Sequence, residues 1–127
     1  CILMSDGELN EGSVWEAFQF ISKHQLNISI LIDNNNQICE DFIPDVMPNM
    51  DFKKIFNGYG FKYCEIDGHS FQDLQKLQPW VVESKSPRIC CLKTLKGKGV
   101  SFMEGTLKWH HSIPDEATFN QAMNELS

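Results

Sequence analysis

Four apolar runs, each cut off by a cluster of turn-forming polar residues, constrain this chain more than any other feature. They are Cys1-Ile-Leu-Met4, Ile28-Ser-Ile-Leu-Ile32, Phe61 to Ile66 and Arg88-Ile-Cys-Cys-Leu92. Runs of this length and composition with polar boundaries read as strands of a sheet covered on both faces. Between them the spacing is helical. Val14, Ala17, Phe18 and Ile21, with Trp15 alongside, form one apolar stripe, and Phe52, Ile55 and Phe56 form a second that stops at Asn57-Gly58. A third helix runs through Leu74 and Leu77 towards Val81, opened by Ser70-Phe-Gln-Asp73 in the form of a capping box. Pro114-Asp115-Glu116 starts a last helix through Phe119, Met123 and Leu126. Strands alternating with helices predict an α/β doubly wound, mostly parallel sheet, in which the residues after successive strands emerge on one edge.

That edge is where the chemistry gathers. Asp6, Asn34 to Asn36, Asp67 to His69 and Lys96 to Gly99 all follow strands. Singly, each is an ordinary turn or surface loop. Together they form a candidate site, and Asp6 stands between the end of a strand and the start of a helix, where open α/β sheets bind ligands. A carboxylate and an amide oxygen suit magnesium, which combines one or two protein oxygens with waters and substrate phosphates. The chain has no Gly-x-x-x-x-Gly-Lys-Ser/Thr loop and no Gly-x-Gly-x-x-Gly after a strand. The diphosphate of a different cofactor, bridged by magnesium, is the expected ligand.

Bulk properties set limits. The 127 residues suit part or all of one domain, and a net charge of −6 argues against a nucleic-acid or anionic-membrane surface. No apolar run approaches the roughly 20 residues that span a bilayer, so a cytoplasmic protein is expected. The five cysteines (Cys1, Cys39, Cys64, Cys90 and Cys91) are expected to be reduced, most of them as core residues. The chain starts inside an apolar run and is expected to be a piece of a longer protein.

Ser5-Asp-Gly-Glu-Leu-Asn-Glu-Gly12 followed by Asp33-Asn-Asn35 resembles the thiamine-diphosphate signature, which begins Gly-Asp-Gly and ends Asn-Asn. The residues Asp6 to Ala17, Glu65-Ile-Asp-Gly-His69, Lys93 to Glu104 and Trp109-His110 make the chain similar to transketolases, above all those whose two halves are separate chains. The resemblance runs nearly from end to end. It lacks the segment that precedes this stretch in such enzymes, so the expected fold is an incomplete diphosphate-binding domain over residues 1–127.

The resemblance implies Asp6 and Asn35 as ligands of Mg2+ (or Ca2+), with the backbone carbonyl of Gln37 as a third. Asn36 is the alternative to Asn35. It falls where the family has glycine, and asparagine tolerates a left-handed conformation better than most residues. Ser5, Gly7 and Glu8 join the cofactor-binding set. Ser5 replaces the family's glycine and adds a side chain where backbone approaches the diphosphate, and Glu40-Asp41 replaces Asp-Gly in the following loop. Glu11 matches a glutamate that links two active sites across a subunit interface, or is simply an acid at a helix N-terminus. His110 matches a histidine over the diphosphate and reacting centre, with His111 beside it. His69, Asp67, Lys96 and Lys98 are weaker candidates, equally at home in a turn, a cap or a solvated loop.

The activity implied is transfer of a two-carbon ketol unit from a ketose, commonly a sugar phosphate, to an aldose. The implied partner is a companion pyrimidine-binding subunit or domain, within a homo- or hetero-oligomer. The activating glutamate belongs to that companion, so this stretch alone is expected to be inactive and to expose the Val14, Phe18 and Ile21 face of its first helix. Two alternatives stay open. One is another thiamine-diphosphate enzyme, of the deoxyxylulose-phosphate synthase or dehydrogenase E1 type. The other is a non-catalytic relative.

Overall fold

The computed structural model describes residues 1–39, 41–83 and 85–127. In chain order the elements are β1 (Ile2–Ser5), a 3-10 turn (Asp6–Asn10), α1 (Gly12–His24), β2 (Ser29–Asn34), β3 (Gln37–Ile38), β4 (Asp41–Phe42) and α2 (Ile43–Val46). There follow α3 (Phe52–Gly58), β5 (Lys62–Asp67), α4 (Phe71–Glu83), β6 (Arg88–Lys93), a 3-10 turn (Leu107–His110) and α5 (Glu116–Glu125). The expected parallel sheet is present, in the order β1-β2-β6-β5. The short antiparallel hairpin β3-β4 is an addition that no periodicity announces, because strands of two residues are too short to carry one.

Alternation along the strands divides the sheet into two faces. On one, Ile30, Ile32, Ile89 and Cys91 join Met4, Phe18, Ile21, Phe56 and Phe61 in a single buried cluster. Phe56 is its centre, with the rings of Phe18 and Phe61 edge-on at 5.4 and 6.3 Å and those of Trp15 and Tyr63 stacked at 6.3 and 5.9 Å. Burying a phenylalanine this completely contributes roughly 2–3 kcal/mol. The other face belongs to α4. The Ser29 hydroxyl donates to Val81 O at 3.0 Å, and the Arg88 guanidinium donates to Trp80 O at 2.7 Å and Val81 O at 3.1 Å.

Two expectations are corrected. The apolar face of α1 is not bare, since Phe18 and Ile21 are buried against α3, a pairing of helices that no local spacing announces. The apolar groups left exposed in this region are on β1 and the back of α1: Ile2, Leu3 (69% exposed) and Phe20. The opening run is therefore the edge strand of the described sheet, and Cys1 is exposed rather than core. All five cysteines are free, with Cys90 and Cys91 fully buried, Cys64 half-buried and Cys39 exposed. Among the described residues no helix is long and apolar enough to cross a membrane.

The caps behave as their chemistry requires. The Asp73 N–H donates to Ser70 Oγ at 3.2 Å, and Asp115 Oδ1 accepts from Thr118 N at 2.9 Å to open α5.

Candidate functional site

The site grows out of the turn after β1. The backbone passes from the strand directly into the 3-10 turn, and two contacts fix it there. Glu8 reaches back so that its carboxylate accepts the Ser5 N–H at 2.6 Å, and the Trp15 indole of α1 donates to Leu9 O at 2.7 Å. Gly7 is required by space: a Cβ there would lie 3.2 Å from Ile38 Cγ1, so the hairpin β3-β4 packs directly onto the turn.

Asp6 is thereby held 1% exposed at the ends of β1 and β2. One carboxylate oxygen accepts the Gly7 N–H at 2.9 Å and the other the Asn36 N–H at 2.6 Å. Burial pushes its pKa above the ordinary carboxylate value, the two backbone N–H groups pull it down, and the charge of Asp33 adds to the rise. Asp33 is itself oriented by the Thr94 hydroxyl of the chain after β6.

Asn35 turns its amide oxygen onto the Gln37 N–H at 3.1 Å. Asn36 adopts φ +65°, the left-handed conformation expected where the family has glycine, and its carbonyl accepts from Ile43 N at 3.0 Å to close the hairpin. Gln37 is buried, and its side-chain Oε1 has no hydrogen-bond partner.

A pocket of about 280 Å3 opens beside this turn. Ser5, Gly7 and Glu8 form one wall, Asn35, Gln37 and Ile38 another, and Glu11, Cys39, Lys96 and His110 close the rim. The sequence expectation that segments after β1, β2 and β6 converge is met. Glu11 lies at the start of α1 and is exposed; its backbone N–H donates to Glu8 O at 3.0 Å. Lys96 reaches the pocket because the loop doubles back: Gly105 N donates to Lys96 O at 2.9 Å, and Gly97 takes φ +77° where a Cβ would meet Met103 O at 2.6 Å. His110 comes from the second 3-10 turn, its ring 4.4 Å from that of His111.

Other candidates fall outside. Lys98 pairs with Glu104 at 3.2 Å within its own loop. Asp67 accepts the His69 N–H at 2.9 Å, and His69 Nε2 accepts the Leu95 N–H at 2.7 Å, so both pin the loop rather than line the pocket. Glu40 lies outside the described residues. Sequence reasoning missed Cys39, which takes φ +46° at the rim, and the unpartnered amide of Gln37. A larger cavity of about 460 Å3 has Asn34, Pro44, Asp51 and Glu65 in its lining.

Among the described residues no group of three or more His, Cys, Asp and Glu is placed to hold a metal. A cation here would draw on one carboxylate and on amide and carbonyl oxygens. That donor set fits magnesium or calcium and not zinc.

This geometry accompanies a clear likeness. The family model of transketolase, thiamine diphosphate binding domain, matches residues 1–126. The chain belongs to the transketolase family. One of the two subunits of the apulose-4-phosphate transketolase of Phocaeicola vulgatus is 32% identical over 128 residues, covering 99% of this chain and 46% of that protein. Human transketolase is 33% identical over 125 residues, covering 98% of this chain and 20% of that enzyme. The crystal structure of transketolase from Campylobacter jejuni superposes with a TM-score of 0.90 at 28% identity, covering 98% of this chain and 20% of that one. The chain thus spans less than half the length of these transketolases. Its α/β parallel sheet is part of the family's diphosphate-binding domain.

Proposed function

We propose that the protein containing this chain transfers a two-carbon ketol unit from a ketose, as a sugar phosphate, to an aldose, using thiamine diphosphate and Mg2+ (or Ca2+). The observation that carries the reading is Asp6: a carboxylate held out of water at the carboxyl ends of two parallel strands, beside a pocket with oxygens on one wall and Lys96 and His110 on its rim.

Asp6, the Asn35 amide oxygen and the Gln37 carbonyl would hold the cation. Ser5, Gly7 and Glu8 form the turn against which the diphosphate lies, with Lys96 adding charge complementary to it. When bound, thiamine diphosphate supplies the carbon centre that carries the two-carbon unit between sugars. His110 is positioned at the rim to hold or move a proton near that centre. Glu11 faces the same pocket and is the residue through which a second site would be coupled.

Two of the similar proteins, from Phocaeicola vulgatus and Actinobacillus succinogenes, are by name single subunits of apulose-4-phosphate transketolases. A companion pyrimidine-binding subunit, a cytoplasmic setting and an oligomer completing the site accompany the proposed activity. The test is calorimetric titration of the full-length protein with its companion, using thiamine diphosphate with and without magnesium, followed by a coupled ketol-transfer assay on xylulose 5-phosphate and other ketoses. Saturable, magnesium-dependent binding and turnover, both lost in Asp6→Ala, are expected. Absence of cofactor binding in the wild-type complex would overturn the reading.

A further inference from the structure

Among the described residues, Gln37 Oε1 is the buried side-chain oxygen or nitrogen left without a hydrogen-bond partner. The residue is 6% exposed and lines the 280 Å3 pocket, one position from the Asn36 N–H that Asp6 binds and two from the amide of Asn35. Its own backbone is satisfied: the N–H donates to Asn35 Oδ1, and β3 pairs with β4 through Phe42. The deficit therefore belongs to the side chain alone.

An unmet buried acceptor costs about 1–3 kcal/mol, and an apolar side chain of similar volume would avoid that cost. Rotating the carboxamide by half a turn only exchanges an unmet acceptor for an unmet donor. What surrounds it decides what would satisfy it. The polar groups nearest in the chain are themselves oxygens, the Asp6 carboxylate and the Asn35 amide oxygen, and an acceptor among acceptors is satisfied by a cation or by the water a cation carries. Amide oxygens are hard donors that suit magnesium and calcium, and magnesium keeps several waters that donate hydrogen bonds to surrounding oxygens.

We infer that the Gln37 side chain, separately from its backbone carbonyl, is part of the cation site: its amide oxygen waits unpaired in the metal-free chain and is satisfied by the shell of the hydrated divalent cation that accompanies the diphosphate. This rests on the diphosphate reading above. It makes Gln37 a residue that weakens the empty protein and strengthens the loaded one. Removing its oxygen must therefore move stability and binding in opposite directions. An amide with only a packing role moves stability alone.

The experiment uses the full-length protein in complex with its companion, and the variants Gln37→Met, of near-equal volume, and Gln37→Leu. Magnesium is titrated at fixed thiamine diphosphate by calorimetry, and thermal unfolding is followed in the presence of a chelator. The expected result is a tenfold or greater rise in the magnesium concentration needed for half-saturation in both variants. With it should come a metal-free melting temperature equal to or above that of the wild type, and recovery of cofactor binding at saturating magnesium. An unchanged magnesium titration in a folded variant overturns the inference and leaves the diphosphate reading standing. Failure of both variants to fold also overturns it, because the oxygen was then supporting the metal-free chain. A wild-type complex with no magnesium-dependent binding sinks the diphosphate reading and this inference together.

Discussion

Asp6 and Arg88 are both buried charges of the same sheet, 1% and 0% exposed, and they sit at its opposite ends. Each is held by backbone groups, and the difference between them separates a site from a scaffold. Arg88, at the start of β6, donates to Ser86 O at 3.0 Å, to Trp80 O and Val81 O at the end of α4, and to Asn27 Oδ1 at 2.6 Å. It closes the carbonyl end of a helix, where a cation is favoured twice over, by the unpaired carbonyls and by the helix dipole. Asp6, at the end of β1, accepts two N–H groups and so fills about half of its roughly four lone-pair positions. Its remaining capacity lies beside a pocket, whereas the donors of Arg88 are turned into the protein. A buried charge marks function when its bonding is left incomplete, and marks structure when it is not.

The contrast can be pressed hardest at Arg88. Arg88→Met strips four carbonyl or amide oxygens of their donor in a buried place, and unfolding free energy by urea denaturation should fall by about 3–5 kcal/mol. Arg88→Lys should recover only part of this, since an ammonium cannot reproduce the planar fork. Asp6→Ala should act the other way round. Affinity for thiamine diphosphate with magnesium, measured calorimetrically on the complete protein, should drop tenfold or more, about 1.4 kcal/mol, while metal-free stability changes less than in Arg88→Met. Equal stability losses at the two positions with unchanged cofactor affinity would erase the distinction.

Smaller changes sharpen the site end. Asn35→Ala should weaken cofactor binding more than Asn36→Ala does. Asn36→Ala should instead cost about 1 kcal/mol of stability, because alanine accepts the left-handed region less readily than asparagine, and Asn36→Gly should be close to neutral in both. A greater binding loss at Asn36 would reverse the two roles. The middle of the sheet, between the two charges, should be the least responsive part. Burial pushes the Cys91 thiol up to about 11, and its hydrogen bond with Cys64 raises that of Cys90. Native-state labelling by a thiol reagent should reach Cys1 and Cys39 quickly and leave Cys90 and Cys91 unmodified until the chain unfolds.

The parts of this molecule that were legible in the sequence are those with a period or a fixed local chemistry. The parallel strands, the four longer helices and the caps at Ser70 and Asp115 all followed from apolar spacing and from side chains that bond their own backbone. The left-handed Asn36 was legible too, because few residues accept that conformation. What escaped depended on distant partners. The hairpin β3-β4 exists because Ile38 packs over Gly7, thirty-one positions earlier in the chain. Arg88 read as the first residue of a strand, with no sign of the helix end it closes. Asp67 and His69 read as equal candidates for the site, and only the fold shows His69 holding Leu95. Gln37 was placed in the site by resemblance, through its backbone; nothing in the order of residues shows that its side chain lacks a partner.

The Ser101 N–H and hydroxyl both donate to the Glu125 carboxylate, the hydroxyl at 2.8 Å, so the last turn of α5 grips the loop that begins with Lys96 and runs on to His110. At its other end the same loop is moored to His69. A rim tied at two points is already assembled when a ligand arrives, and binding need not wait for a rare arrangement. Were the grip lost and the loop in place only about a tenth of the time, apparent affinity would fall roughly tenfold with every contacting residue intact. The far end of the chain thus sets how often the pocket is ready, and Glu125→Gln or a trimmed α5 should be felt in the association rate before it is felt anywhere else.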